Sequence, residues 1–251
     1  MTLEEFFAQT PRAAVAFSGG TDSAFVLWAA KAYGCAVRAY YVRTAFQPAF
    51  EREDAKRLTD ALGVPMTEVP VDILAVPGAA ENGPDRCYHC KKALFSALWQ
   101  RARADGYTVL LDGTNASDDA GDRPGMRALR ELAVRSPLRI CGLTKDAVRR
   151  RSREAGLFTW DKPAYACLAT RIPTGQAIVP GLLQKVERAE AALAALGFSD
   201  FRVRILGQAA RLELTEEQMA RAVSLRGAIR EALQPDFSDV LLDLRARPAS
   251  T

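Results

Sequence analysis

Histidine is almost absent from this chain, with one residue, His89, in 251. Any Ser-His-Asp scheme would have to pass through it, and no His pair is present to complete a zinc site. Long apolar runs are missing too: none approaches the roughly eighteen uncharged residues of a membrane-spanning helix. The acidic opening Met1 to Glu5 has neither the basic nor the apolar region of a secretory signal, so the cytoplasm is the expected compartment. The Gly-Lys-Ser/Thr of a Walker loop and the three-glycine spacing of a dinucleotide turn are both lacking, which weighs against ordinary kinases and dehydrogenases. No internal repeat and no low-complexity segment occurs.

What is there fits a globular protein with room for one substantial core or two modest ones: 49% hydrophobic and 25% charged residues. The formal charge of +4 suits anionic ligands. The densest basic stretch, Lys145 to Arg153, would wrap its charges round a helix and not line them on one face, so it reads as a solvated element and nucleic acid is not the expected partner.

Apolar runs alternate with helical patterns from the start. Strands are expected at Ala13–Phe17, Val37–Val42, Met66–Val71 and Thr108–Asp112, with helices at Asp22–Tyr33, Glu51–Leu62 and Cys90–Ala104 between them. This is the pattern of an α/β fold, a parallel sheet covered by helices on both faces. The Gly-, Pro- and Asp-rich loops Val76–Arg86 and Gly113–Gly125 then fall at the carboxyl edge of that sheet. After Pro163 the rhythm changes. A helix at Leu182–Leu196, strands at Phe201–Leu206 and Ala210–Leu214, a helix from Thr215 capped through Gln218, and a strand at Asp239–Leu244 make a small α+β C-terminal domain. The boundary is placed near residue 175, giving domains 1–175 and 176–251.

The first strand runs into Ser18-Gly19-Gly20-Thr21-Asp22-Ser23 and then directly into a helix. Glycines let the backbone approach phosphate oxygens, successive amides point inward, and the helix dipole adds to the field. Ser18 and Ser23 can donate hydroxyls. Asp22 repels phosphate, so it points to a magnesium ion or to plain helix capping. The segment resembles the PP-loop, SGGxDS, of the ATP pyrophosphatase superfamily at every defining position. That resemblance implies cleavage of ATP between the α- and β-phosphates, with AMP passed to a carboxylate or carbonyl oxygen. Farther on, Asp112-Gly113-Thr114-Asn115-Ala116-Ser117-Asp118-Asp119 follows a strand. Its Thr114 and Asn115 suit nucleotide or metal contacts, although such residues also make ordinary turns.

Five cysteines in a chain with no export signal read as reduced, reactive or metal-bound. Cys87 and Cys90 stand at a loop-to-helix junction beside Arg86, Lys91 and Lys92, and Cys167 stands between Lys162 and Arg171; both settings favour thiolate. Three cysteines suit an iron–sulfur cluster with one open iron. Zinc would want a fourth ligand, and inert or redox thiols are the remaining alternatives. Cys35 and Cys141 lie beside apolar runs and read as packing residues.

These motifs, together with Arg86–Lys91, Asp112–Asn115, Lys162-Pro163, Ala166–Arg171, Arg202–Arg204 and Ala210–Glu213, resemble the LarE family of ATP-dependent sulfur transferases over nearly the whole chain. Thr170 stands where Ser is usual. The resemblance implies adenylylation of a carboxylate of pyridinium-3,5-biscarboxylate mononucleotide and its conversion to a thiocarboxylate, a step in building the nickel-pincer nucleotide cofactor. It implies ATP bound by Ser18, Gly19, Gly20, Asp22, Ser23, Thr114 and Asn115 with Mg2+, and catalysis by Asp22 and Cys167. Cys167 acts either as a sacrificed sulfur donor or, with Cys87 and Cys90, as a ligand of a [4Fe–4S] cluster carrying sulfide. The presence of all three cysteines favours the cluster. Arg171, Arg202 and Arg204 are assigned to the substrate phosphate, and Glu190 and Glu213 to a metal ion near it. Arg202 and Arg204 on a solvated strand edge, or the two glutamates in surface salt bridges, would give the same pattern. A homo-oligomer and a sulfur-donor protein or free sulfide are the expected partners beside the small nucleotide substrate. Two rivals are a PP-loop tRNA thiolase, which would need an RNA surface, and an ATP-binding iron–sulfur or zinc sensor without catalysis.

Overall fold

The computed structural model describes residues 1–118 and 124–248, so Asp119 and the four residues after it, expected in a functional loop, lie outside the described residues. The chain divides into two units, one of residues 1–79 and 85–162, the other of residues 80–84 and those from Pro163 onward.

The first unit runs α1 (Leu3–Ala8), β1 (Arg12–Ala16), α2 (Thr21–Ala32), β2 (Ala36–Arg43), α3 (Ala49–Leu62), β3 (Met66–Pro70), α4 (Arg86–Ala104), β4 (Leu110–Leu111), α5 (Pro124–Glu131), α6 (Pro137–Ile140) and α7 (Lys145–Glu154). The strands form one parallel sheet in the order β3-β2-β1-β4. Both faces are buried, which explains why these strands read as apolar runs and not as an alternation. Ala13, Val15 and Phe17 pack with Phe25 and Leu27 of α2, while Ala14 and Tyr40 pack with Leu98, Trp99 and Ala102 of α4. Chain order reverses between β1 and β4. Ligands of open α/β sheets bind outside the carboxyl ends of the strands at such a switch point.

Two elements differ from expectation. The strand expected at Thr108–Asp112 shrinks to two residues: β4 pairs with β1 on one side and on the other, among the described residues, meets Arg135 alone, whose amide bonds Leu110 and whose carbonyl takes the Asp112 amide. Helix α4 begins at Arg86, not Cys90, because the Asp85 carbonyl already accepts the amides of Tyr88 and His89 at 2.9 and 3.2 Å. Cys87 and Cys90 therefore lie within its opening turns.

The second unit contains α8 (Pro180–Ala195), β5 (Arg202–Leu206), β6 (Ala209–Glu213), α9 (Glu216–Ser224), α10 (Arg226–Leu233) and β7 (Val240–Leu242). β5 and β6 are antiparallel, and β7 lies parallel to β6. The expected helix from Thr215 is split at Leu225 into α9 and α10. The expected capping box does not form: Gln218 gives its amide to the Thr215 hydroxyl and to the Ser199 carbonyl, so Thr215 makes no side-chain cap. The unit begins at Pro163, not near 175, and takes residues 80–84 with it. The reason is Asn82. Fully buried, with φ of 57°, its side-chain amide donates to the carbonyls of Ile172, Pro173 and Gln176, and its own carbonyl accepts from Gly175. The Gly/Pro-punctuated segment is thus stapled from a distant loop, which no local pattern announces. Among the described residues, no helix is long and apolar enough to cross a membrane.

Candidate active site

The loop after β1 is shaped by its own serines. Ser23 Oγ accepts the Ser18 amide at 3.3 Å and lies 3.0 Å from Ser18 Oγ, which accepts the Gly20 amide at 3.3 Å. Gly19, at φ of 76°, has no room for a side chain: a Cβ there would sit 3.1 Å from the Glu51 carbonyl oxygen of α3. Gly20 caps α2 with its backbone alone, leaving the first amides of the helix without a side-chain partner from the cap. A polyphosphate is the ligand that such a turn serves.

The loop after β4 approaches the same place. A Cβ on Gly113 would fall 2.7 Å from the Ser23 amide nitrogen, so only glycine allows the two loops to meet. Beyond it Asp112 takes the Thr114 hydroxyl at 2.5 Å, the Asp118 carboxylate takes the Asn115 amide at 2.8 Å, and Asn115 Oδ1 takes the Ser117 amide at 2.8 Å. Thr114 and Asn115 are both buried. The Asn115 side chain hydrogen-bonds Asp22.

Asp22 is the electrostatic centre of this arrangement. Burial, then the Asp118 carboxylate, pushes its pKa from 3.8 up to about 6, against the hydrogen bond with Asn115 and the charges of Lys145 and Arg149. Its Oδ1 is buried without a hydrogen-bond partner. A buried, partly unpaired carboxylate with a second carboxylate nearby is a donor set that a divalent cation would satisfy. Helix α7, expected as a solvated basic element, is only partly so. Val148 and Ser152 are buried, and Arg149 holds the carbonyls of Trp160 and Lys162 at 3.0 and 2.9 Å.

Cys87 is exposed and Cys90 half-buried. Tyr88 and Lys92 both bond Glu131 of α5 at 2.9 Å, and the His89 ring packs where a Cβ on Gly78 would otherwise stand. The single histidine therefore helps seat α4. Cys35 is buried as expected, whereas Cys141 is only half-buried, packed at the margin of the α2 core. In the second unit, half-buried Cys167 opens a 3-10 turn, Leu168–Arg171. Among the described residues no three His, Cys, Asp or Glu side chains are grouped as a metal site; of the expected cluster ligands, Cys87 and Cys90 belong to the first unit and Cys167 to the second.

The family described as Queuosine biosynthesis protein QueC matches residues 12–80, the stretch from β1 past the phosphate loop and β3. An uncharacterised protein of Synechocystis is 38% identical over 96% of this chain and 92% of its own length. The pyridinium-3,5-bisthiocarboxylic acid mononucleotide synthase of Lactiplantibacillus plantarum is 32% identical over 97% of this chain and 89% of its own length. The chain belongs to the LarE family. An uncharacterised protein of Methanocaldococcus jannaschii is 30% identical over 58% of the chain. As a LarE-family member of the PP-loop superfamily, the chain is an ATP-using enzyme with the α/β fold expected of that group.

The family assignments of the arginines and glutamates meet a mixed outcome. Arg171 is 1% exposed and bonds Glu190 through Nε at 2.8 Å and Nη2 at 3.1 Å, which turns the expected phosphate ligand into half of a buried ion pair. Burial works against its charge, but the hydrogen bonds and attraction of Glu190 outweigh that and raise its pKa, with Tyr165 and Cys167 adding to the pull. Glu190 also accepts the Tyr165 hydroxyl and the Val203 amide, so its oxygens are engaged and the expected metal ligand is occupied by protein. Arg202 and Arg204 do share one face of β5, opposite Glu213 and Arg211 of β6. Arg204 bonds Glu213 and the Thr170 carbonyl, each at 2.5 Å, and Glu213 also holds Arg211 at 3.0 Å. Burial, then repulsion from Arg171, Arg247 and Arg204, lowers the pKa of Arg202. A guanidinium crowded by like charges gains from a bound anion. Sequence reasoning missed Tyr165, Thr170 and Arg211 as members of this network; the strand alternation that selected Arg202 and Arg204 would have reached Arg211 had the facing strand been read the same way.

Proposed function

We propose that this chain adenylylates a carboxylate of pyridinium-3,5-biscarboxylate mononucleotide and replaces the activated oxygen with sulfur. The observation that carries the reading is the meeting of the Ser18–Ser23 and Asp112–Asn115 loops at the switch point around a buried, incompletely paired Asp22. Near-full-length similarity to a synthase of the bisthiocarboxylic product supports the choice of substrate.

In this reading the amides of residues 18–23 cradle the polyphosphate of ATP, and Asp22, steered by Asn115, would hold Mg2+. An ion held there would supply charge neutralisation at the phosphates. A substrate carboxylate oxygen attacks the α-phosphorus, the bond to the β-phosphate side breaks, and an acyl adenylate remains. Carboxylate is a poor electrophile, and AMP is the leaving group that makes sulfur attack feasible. The Cys167 thiolate forms a bond to the acyl carbon, its proton passes to solvent, and AMP departs with the electron pair of the broken C–O bond. Loss of the Cys167 α-proton and cleavage of its Cβ–S bond then leave sulfur on the substrate and dehydroalanine in the chain. The sulfur step is written on Cys167 as the sacrificed donor; sulfide carried on a cluster of Cys87, Cys90 and Cys167, the route favoured from sequence, is the second reading. Arg202, Arg204 and Arg211 are suited to the substrate phosphate.

Intact-mass analysis after one anaerobic turnover with ATP and the dicarboxylate nucleotide tests this. The expected result is stoichiometric pyrophosphate and a chain lighter by hydrogen sulfide at residue 167. Turnover with unchanged chain mass would overturn the sacrificial step, and no pyrophosphate at all would overturn the whole reading in favour of a sensor.

A further inference from the structure

Buried ion pairs contribute little to stability, because desolvating both charges offsets most of their attraction. Arg171 and Glu190 form such a pair, with side chains 1% and 7% exposed, and what they hold is the loop that carries Cys167. One edge of the guanidinium is taken by the carboxylate. The remaining nitrogen, Nη1, donates to the Ala166 carbonyl at 2.7 Å, the Thr170 hydroxyl at 2.8 Å and, more weakly, the Cys167 carbonyl at 3.5 Å. The Cys167 carbonyl also accepts the Thr170 amide at 3.0 Å and the Thr170 hydroxyl at 2.9 Å. Those two carbonyls belong to the peptide planes on either side of the Cys167 Cα. With both planes pinned, the only soft dihedrals at that residue are fixed, at φ of −54° and ψ of 150°, and the direction of the Cα–Cβ bond is fixed with them. Glu190 is itself held by the Tyr165 hydroxyl at 2.5 Å and the Val203 amide at 3.0 Å, so the anchor rests on α8 and β5.

We infer that Thr170, Arg171 and Glu190 are positioning residues that aim the Cys167 sulfur at the activated acyl carbon, an inference that rests on the function proposed above. Thr170 is the informative member. Its hydroxyl accepts from Arg171 and donates to the Cys167 carbonyl, so it relays the buried charge to the peptide. Serine can do the same; valine, of nearly the same shape, cannot.

The test uses the full chain with Thr170→Val and Thr170→Ser. Two ratios are measured: thiocarboxylate formed per pyrophosphate released in a single turnover, and iodoacetamide labelling of Cys167 relative to Cys87 by peptide mass spectrometry across pH 6 to 9. Misplacement of a reacting atom by about 1 Å costs on the order of 100-fold. Thr170→Val is therefore expected to release pyrophosphate at the wild-type rate while sulfur transfer per pyrophosphate falls at least about tenfold. Its Cys167 labelling relative to Cys87 should differ from wild type by about threefold or more as the sulfur leaves its fixed direction. Thr170→Ser should restore both ratios. If valine's branch prevents folding, Thr170→Ala removes the same hydroxyl without it. A folded variant lacking the hydroxyl, yet labelled at Cys167 as wild type is, would overturn the inference. If the wild-type chain transfers no sulfur but the labelling contrast between Val and Ser holds, the proposed function falls and the positioning device stands.

Discussion

Replacing Asp22 with Asn should strengthen the ligand-free fold while abolishing its chemistry. The carboxyl is pushed from 3.8 to about 6, chiefly by burial and then by Asp118. Its folded pKa therefore lies above its unfolded one, so the group favours the folded state most fully below about pH 4, and that advantage is lost as pH rises through about 6. At neutral pH the ionised form is a liability. A rise of about two pH units, at about 1.4 kcal/mol each, comes to roughly 3 kcal/mol. Asn has no charge to bury, and its oxygen can still accept from Asn115. Urea unfolding of Asp22→Asn should thus show a gain of about 3 kcal/mol at pH 7 that shrinks through the window from pH 6 to 4 and vanishes below it. Pyrophosphate release should be lost at every pH, since the amide cannot hold the cation. A variant no more stable than wild type at pH 7, or one whose advantage does not change with pH, would refute the account of Asp22 as a buried charge awaiting a metal.

The same titration sets the acid limb of activity: kcat/KM for pyrophosphate release should fall about tenfold per pH unit below about 6, measured at limiting magnesium, where the proton competes with the cation, and an unchanged rate at pH 5 under those conditions would remove Asp22 from the step. Gly113→Ala places a methyl 2.7 Å from the Ser23 nitrogen, so about 1–3 kcal/mol of stability and most ATP binding should be lost by denaturation and nucleotide titration, whereas Gly34→Ala, with open space at its Cβ, should cost only backbone strain and leave ATP binding intact. Breaking the buried pair with Arg171→Met or Glu190→Leu should each cost about 3–5 kcal/mol, and the double variant less than the sum, because neither charge is then left alone. Asn82→Ala should destabilise the second unit by on the order of 2 kcal/mol, read as increased proteolysis within residues 163–179, since three carbonyls lose one donor group.

The sheet and the phosphate loop were legible because they are local. A strand buried on both faces writes itself as an apolar run, and Ser18–Ser23 carries its conformation in its own glycines and serines. Asp112–Asn115 stood out as a candidate segment by its residue types, but not its close approach to the Ser23 amide, since that depends on the strand order β1-β4. The tie between Asn82 and the segment around residues 172–176 was not legible, because it spans some ninety positions. Arg171 and Glu190 were assigned as ligands through the family resemblance, which carries no information on burial. What a guanidinium binds is decided by what surrounds it, and here burial makes protein carbonyls and a carboxylate its partners.

Both units place unfavourable terms beside the groups assigned to chemistry. Asp22 is buried with an unpaired oxygen, Gly19 and Gly113 admit no side chain, and Arg202 sits among cations that lower its pKa. The Asp22 and Arg202 terms do not stabilise a fold; a cation at Asp22 and an anion at Arg202 would relieve them. The contrast with Arg171 sharpens the point. Its charge already meets Glu190, the Ala166 carbonyl and the Thr170 hydroxyl within the protein, so a bound anion would relieve less there than at Arg202. A phosphate-bearing substrate should therefore stabilise the second unit chiefly through Arg202 while leaving the Arg171–Glu190 bonds as they are.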